Sequence, residues 1–276
     1  MLKLYWKRFL SNPLAVAGAV VIVMLAVAGL AAPHLTPMDP LKQDLLARLK
    51  EPSAAHWFGT DELGRDVFSR MIAGLRVSLL IGFMAALISI SIGTVIGLIA
   101  GYWRGWVDSF LMRLVDIVLC FPTLFLILMI LAVLDKPSIY MVMAVIGLTS
   151  WAGLARMVRG EVLSMRERDF ILVARGLGLS SRRILLVHLL PNVISPVIVA
   201  ATLTVGAAIL TESGLSFLGL GVQPPLPSWG NILTSGKDFI HVAWWLSLFP
   251  GLGILVTVLA FNLLGEGLRD VLDPRL

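Results

Sequence analysis

The sequence predicts an all-α integral membrane protein with six transmembrane helices. Hydrophobic residues make up 58% of the 276 residues and charged residues 14%, with a mean hydropathy of +0.92. Soluble domains carry about 25% charged residues. The apolar residues are gathered into five uncharged runs of 17 to 24 residues and a sixth interrupted by one aspartate. At 1.5 Å per residue, about 20 helical residues cross the roughly 30 Å hydrocarbon core of a bilayer. Runs this long are helices and not barrel strands. The charges lie between the runs, where a membrane protein keeps them.

Taken in order, Lys3, Lys7 and Arg8 precede a first span over Leu14 to Ala32. A signal peptide is the rival there, but the run exceeds the 7–15 residues of a signal core. Residues 33–76 form a polar loop, punctuated by Pro33, Pro37, Pro40, Pro52, Gly59 and Gly64, with a short amphipathic helix near Arg65 to Arg76. The second span is Val77 to Ala100. On it Gly93, Gly97 and Gly101 recur every fourth residue, so that another helix can approach closely. A short loop from Tyr102 to Arg113 leads to a third span, Leu114 to Leu134, with Asp116 near its start and Pro122 inside it. After a tight turn at Asp135 to Ser138 comes a fourth span, Ile139 to Ala155. Val193 to Thr211 and Val242 to Leu264 are the fifth and sixth, separated by a loop, Glu212 to His241, rich in glycine and proline. The organisation expected is a tail and first helix over 1–32, an outer (periplasmic) loop over 33–76, a five-helix core over 77–264 and a tail over 265–276. No tandem repeat is visible.

Six crossings put both termini on one side. Fourteen of the 22 Lys and Arg residues fall on the side of the termini and of the segment Arg156 to Asn192, against eight on the other. Six of those eight lie in the long first loop, so both termini and the central segment are expected in the cytoplasm. The net charge of +5 and pI of 9.7 then reflect loops facing the cytoplasm and anionic lipid, not nucleic acid. The single cysteine, Cys120, permits no internal disulfide or thiolate metal cluster and is expected to be a packing residue.

Motifs for chemistry are missing. No G-x-x-x-x-G-K-[ST] occurs, since Gly236-Lys237 is followed by Asp238, so this chain does not hydrolyse ATP alone. His34, His56, His188 and His241 have no ligand spacing, and no metal or catalytic site is expected. A membrane-embedded enzyme would need paired polar groups at depth, and Asp116 has no partner aspartate within a span. Asp116 sits three residues after Arg113, on one helix face, which suits an i,i+3 ion pair; a place in a translocation path is the alternative. Pro122 removes a backbone hydrogen bond and should kink its helix. Glu212 follows the fifth span at the outer interface, either as a plain interfacial carboxylate or as a contact for a partner or gate.

The richest soluble stretch is Asp169 to Asn192. Gly176 or Gly178 should end a first helix, because glycine accepts the left-handed cap conformation. Ser180 or Ser181 should cap a second by accepting from free N–H groups. That helix carries Arg182 and Arg183 outward and Ile184, Leu185, Leu186, Leu189 and Leu190 inward, until Pro191 stops it and starts the fifth span. As a bare pattern this is a helical hairpin on the membrane surface that binds either lipid or a partner.

The segment resembles the E-A-A loop of inner-membrane permeases of binding-protein-dependent ABC importers. It reads Leu172-Val173-Ala174, then Gly178, then His188-Leu189-Leu190-Pro191, with Leu172, Val173 and His188 replacing the family's Glu, Ala and Ile. Gly59-Thr60-Asp61-Glu62-Leu63-Gly64-Arg65-Asp66, Leu215-Ser216-Phe217-Leu218-Gly219-Leu220-Gly221 and the tail Gly267-Leu268-Arg269-Asp270 with Asp273-Pro274-Arg275 resemble the dipeptide, oligopeptide and nickel branch, in its second (C-type) permease. The resemblance implies a type I importer (MetI-like) fold and ATP-driven, binding-protein-dependent import of di- or oligopeptides across the bacterial inner membrane, with nickel or another small solute as the alternative. It implies a homologous second permease, two ATPase subunits that hold ATP and Mg, and an extracytoplasmic binding protein; the chain itself needs no cofactor. It implies a coupling helix around Arg166 to Leu177, with Arg166, Arg168, Asp169, Phe170, Ala174, Arg175, Gly178, Ser180 and Pro191 as the ATPase-coupling residues. Asp116, Pro122, Glu212 and Ser216 are the candidates for pathway or gate.

Overall fold

The computed structural model describes residues 2–134 and 138–272, so the expected turn at Asp135 and the tail Asp273-Pro274-Arg275 lie outside the described residues. The helices are α1 (Leu2–Ser11), α2 (Pro13–Leu30), α3 (Ala32–Leu35), α4 (Val67–Trp103), α5 (Gly105–Cys120), α6 (Thr123–Val133), α7 (Ile139–Arg166), α8 (Asp169–Gly176), α9 (Ser181–Arg183), α10 (Leu190–Phe217), α11 (Trp229–Lys237) and α12 (Trp245–Leu272). A π-helical turn over Ile184–Leu189 joins α9 to α10. Among the described residues strand pairing is limited to an isolated bridge between Thr60 and Asp66.

Five helices are long and apolar enough to cross a membrane: α2, α4, α7, the continuous run from α9 through α10, and α12. The third span is different. The expected single kinked helix over 114–134 is two helices, α5 and α6, bent by 83°. Pro122 causes the break. The residue before a proline is driven out of the helical region, and Phe121 is extended (φ −93°, ψ 132°). The expected loop from Tyr102 to Arg113 is mostly helix, since only Arg104 separates α4 from α5.

That bent pair still carries the chain across. Along α4, Ala85 and Ile88 meet Gly147, Gly93 meets Trp151 and Leu154, Gly97 meets Ala155 and Val158, and Gly101 meets Arg159 and Val162. Both numberings rise together, so α4 and α7 are parallel. The segment between them must return to the starting end. The glycine stripe makes the seam possible: a Cβ on Gly97 would lie 2.6 Å from both the Ala155 carbonyl oxygen and Val158 Cβ. Against α10, α12 runs antiparallel (Gly206 on Val258 and Phe261, Gly265 on Thr202 and Leu203), and α2 lies along α12 with Gly18 on Ala260 and Gly267 on Ala15.

One end of this bundle carries an ordered cap. The amphipathic stretch expected at Arg65 to Arg76 is the beginning of α4. Its first turn is held by Asp66, which accepts from the Ser69 backbone N–H (2.8 Å) and hydroxyl (2.7 Å). Asp61 accepts from the Leu63 and Arg65 N–H groups and from Arg65 Nε at 2.6 Å, while Arg65 Nη2 donates to Glu62. The Trp245 indole donates to the Thr60 carbonyl, and Ser235 donates to Glu62, so the Gly59–Asp66 block fastens the first loop to α11 and α12. The expectation for Cys120 fails: it ends α5 exposed, because the helix breaks just after it.

Candidate functional site: the basic loop and the helix groove

The opposite end is basic. Asp108 of α5 accepts both Nε (2.5 Å) and Nη2 (2.6 Å) of Arg159 on α7. Asp116 pairs with Arg156 of α7 at 2.7 Å, not with Arg113 as its spacing suggested. The two helix surfaces face each other, and a neighbour across the seam wins over one along the helix. Arg104 donates to Glu167 beyond the end of α7 at 3.3 Å.

From there the chain turns through Glu167 and Arg168 into α8. Asp169 lies in its first turn, where a carboxylate suits the helix dipole. Ile171 and Ala174 are buried among Leu98, Val158, Val162, Ile184 and Leu189. Beside this buried face, Phe170, Val173 and, just past the end of α8, Leu177 are three exposed apolar side chains at positions i, i+3 and i+7 that form one stripe, and Leu172 is exposed as well. Eight residues do not hold a helix in water by themselves; this one is closed at its end. Leu179 N–H donates to the Ala174 carbonyl and Gly178 N–H to the Arg175 carbonyl, the Schellman pattern. Gly178 sits at φ +74°, as that pattern requires.

Two expectations for the loop are corrected. Ser180 stands at the start of α9 but makes no side-chain capping bond. Pro191 does not stop the second helix, which runs on through the π turn into α10. In that turn Leu190 N–H donates to the Leu185 carbonyl, five residues back. The wider turn relieves the clash a proline ring makes with a tight helix, and the Asn192 amide donates to the His188 carbonyl at 2.6 Å. Ile184 and Leu189 point inward as expected, while Leu186 is exposed.

Glu212 and Ser216 do come together, at the capped end. Glu212 is fully buried, not interfacial. One of its oxygens accepts from the hydroxyls of Ser216 (2.7 Å) and Ser228 (3.0 Å), and the other has no hydrogen-bond partner. Ser216 Oγ in turn accepts the Val222 N–H, and Ser228 makes a capping box with Asn231 at the start of α11. The carboxylate therefore clasps the 218–228 loop between α10 and α11. Asp116 and Pro122 are not near it.

A cavity of 160 Å³ opens between α4, α7 and α10, lined by Ala85, Ile146, Ser150, Thr204, Ala207 and Thr211. Its hydroxyls donate to carbonyls one turn back: Ser150 to Ile146, Thr204 to Ala200 and Thr211 to Ala207. What remains toward the cavity is oxygen lone pairs, with no charged side chain on the lining. Elsewhere on these helices, Gly153 and Gly160 of α7 and Gly214 of α10 have no neighbouring element within 4 Å of where a Cβ would stand, in contrast to the filled glycine seam between α4 and α7.

Residues 93–276 match the family of binding-protein-dependent transport system inner membrane components, and residues 1–52 match the N-terminal transmembrane domain of oligopeptide transport permease C. The chain is an ABC importer permease of this family. The permease is 43% identical to the dipeptide transport system permease protein DppC of Alkalihalophilus pseudofirmus, over 98% of the chain and 89% of that protein. It is 44% identical to DppC of Bacillus subtilis over 98% and 85%, and 41% identical to the glutathione transport system permease protein GsiD of Pectobacterium atrosepticum over 99% and 90%. Among solved structures, the inward-facing MetNI methionine ABC transporter contains a chain that matches with a TM-score of 0.59 at 18% identity, covering 75% of the permease and 98% of that chain. That likeness establishes the fold. A member of this family is a transmembrane subunit and not an enzyme, and its importer works with ATPase and binding-protein partners.

Within the permease, the sequence pointed to the loop end by its amphipathic pattern, its glycine positions and its motif but missed the groove. Thr204 and Thr211, spaced by two helical turns in a span that also carries Ser195 and Thr202, were the signal available for it.

Proposed function

We propose that the permease forms one half of a pathway that carries di- and oligopeptides inward across the bacterial inner membrane by alternating access. A homologous second permease supplies the other half, and an extracytoplasmic binding protein delivers the peptide. The substrate class is carried by one observation: relatives matched over nearly the whole chain are named for dipeptide and glutathione transport.

The basic end, with both termini, faces the cytoplasm in this reading, in line with the excess of arginine there. Two ATPase subunits bind below the paired permeases, one to each, and hold the ATP and Mg. The permease's α8 is the coupling helix. Its Phe170–Val173–Leu177 stripe is the apolar face offered to the ATPase groove, and Arg168, Arg182 and Arg183, all exposed, flank it. A short helix closed by Gly178, followed by α9 that runs through the π turn into α10, is suited to pass on a rigid-body displacement. The groove lined by Ser150, Thr204 and Thr211 is the permease's share of the pathway. Hydroxyl lone pairs accept from peptide N–H groups of any sequence, and weak uncharged contacts let the cargo leave.

The test is uptake of a labelled dipeptide by proteoliposomes containing the complete transporter. Unlabelled di- and oligopeptides should compete and nickel ions should not; nickel competition with no effect of peptides would overturn the substrate class. Phe170→Glu should strip the ATPases from the purified complex. Retention of both ATPases would refute docking through α8.

A further inference from the structure

At the junction of α4 with the basic loop, one residue touches the end of α7, α8 and the start of α9. Tyr102 lies in the last turn of α4 and is 8% exposed. Its carbonyl is one of those that a helix end leaves without an internal partner, and it accepts from Arg166 Nη1, at the end of α7, at 2.6 Å. Its ring lies 4.9 Å from the guanidinium carbon of Arg175 on α8. Its hydroxyl donates to Ser181 Oγ at the start of α9, at 3.3 Å.

The buried contacts of α8 are apolar: Ile171 and Ala174 pack among aliphatic side chains. Such contacts hold a helix down but do not fix its rotation, because burial is not directional. The three contacts of Tyr102 are directional. A guanidinium over a ring face has a preferred geometry, and a charged donor to a carbonyl has another. Tyr102 also brings two cations, Arg166 and Arg175, to one residue, giving the first a carbonyl and the second a ring face; Arg175 Nε has no hydrogen-bond partner of its own. Just before it, Gly101 lies against Val162 of α7. A displacement of α8 that carries Arg175 with it therefore reaches α4 at Tyr102, and from α4 reaches α7 along the glycine seam.

We propose that Tyr102 is the positioning residue that hands movement of the coupling helix to α4 and sets how tightly ATP hydrolysis is linked to peptide movement. The inference rests on α8 being the ATPase-docking helix. The Arg175–ring contact is the part that transmits, and the hydroxyl bond to Ser181 is secondary.

The experiment uses the complete transporter in proteoliposomes with its binding protein, and measures labelled dipeptide taken up per ATP hydrolysed. Tyr102→Leu should lower that ratio at least tenfold while both ATPases still co-purify and hydrolyse ATP. Tyr102→Phe, which keeps the ring, should restore it to within about twofold of the wild type. Arg175→Met should reproduce the defect, and Tyr102→Leu/Arg175→Met should be no worse than either alone. A normal ratio in Tyr102→Leu overturns the proposal; so does full independence of the two sites. If Tyr102→Leu fails to assemble, Arg175→Met decides: a normal ratio refutes transmission through the ring. Failure of the underlying docking reading looks different, because Phe170→Glu would then leave the ATPases bound.

Discussion

The seam between α4 and α7 gives a prediction whose size follows from the coordinates. Replacing Gly97 by alanine places a methyl group 2.6 Å from the Ala155 carbonyl oxygen and 2.6 Å from Val158 Cβ. Ordinary contact begins at 3.4 Å, so the methyl is about 0.8 Å too close on both sides. Neither obstacle can rotate away, since one is backbone and the other is a Cβ. Gly93 and Gly101, at 2.9 and 2.7 Å from the side chains opposite, hold the helices at the same spacing above and below. The helices must separate locally and lose dispersion contacts along the seam, and overpacking of this kind costs about 1–3 kcal/mol. Gly160→Ala on the same α7 is the control. It is exposed, with no atom within 4 Å, and should gain up to about 1 kcal/mol in helix propensity. The assay is the fraction of purified transporter that stays monodisperse after heating through a temperature series. Gly97→Ala should lower the midpoint and Gly160→Ala should leave it unchanged or raise it. Equal midpoints for the two variants would refute the close parallel packing of α4 and α7.

The ion pairs at the basic end should separate by burial. Asp108→Asn weakens a bidentate pair whose side chains are 14% and 30% exposed and should cost about 1–3 kcal/mol, whereas Asp116→Asn loosens a pair exposed by half and should cost about 0–1 kcal/mol, both read in the same heating series. Glu212→Leu leaves the Ser216 and Ser228 hydroxyls without their acceptor in a buried site, at about 1–3 kcal/mol each, and should expose the 218–228 loop to added protease; Glu212→Gln keeps an acceptor oxygen and should protect it. At Gly178 the space is open and only the backbone is demanding, so Gly178→Asn should support near-normal uptake while Gly178→Val, forced into the left-handed region at about 1–2 kcal/mol, should reduce it.

The crossings were legible in the sequence because each is a local property of one run of side chains. So were the Gly93–Gly97–Gly101 face and the left-handed end of α8, since spacing and glycine chemistry need no knowledge of the neighbour. The charged start of α5 was not. Asp108 and Arg113 read as a polar loop and Asp116 as the start of a span paired with Arg113, until Arg156 and Arg159 are brought opposite Asp116 and Asp108, and those partners lie 40 and 51 residues away. Glu212 read as interfacial for the same reason, because its burial depends on Ser228 folding back across the 218–228 loop. Pro191 reads as a stop because a proline does not continue a tight helix, and the single wider turn that accommodates it leaves no composition signal. Tyr102 went unnoticed as one aromatic at the end of an apolar run; its role is defined wholly by three elements that meet it.

The length of α4 has a mechanical consequence. Its 37 residues make a rod of about 55 Å, against about 30 Å of hydrocarbon core, so it extends past the bilayer into water at one end or both. One end is fastened in the cap by Asp66 and by Arg70, whose Nε lies 3.4 Å from the Asp61 carboxylate, the other in the basic loop by Tyr102, and the seam with α7 doubles its thickness along much of the distance. Such a strut resists bending, so strain applied at either end is released where the chain is compliant: at the Phe121–Pro122 elbow and in the 218–228 loop. Distances between spin labels along α4 and α7 should stay constant through the transport cycle, while those across the elbow should change. Constant elbow distances with a flexing α4 would reverse that assignment of stiff and yielding parts.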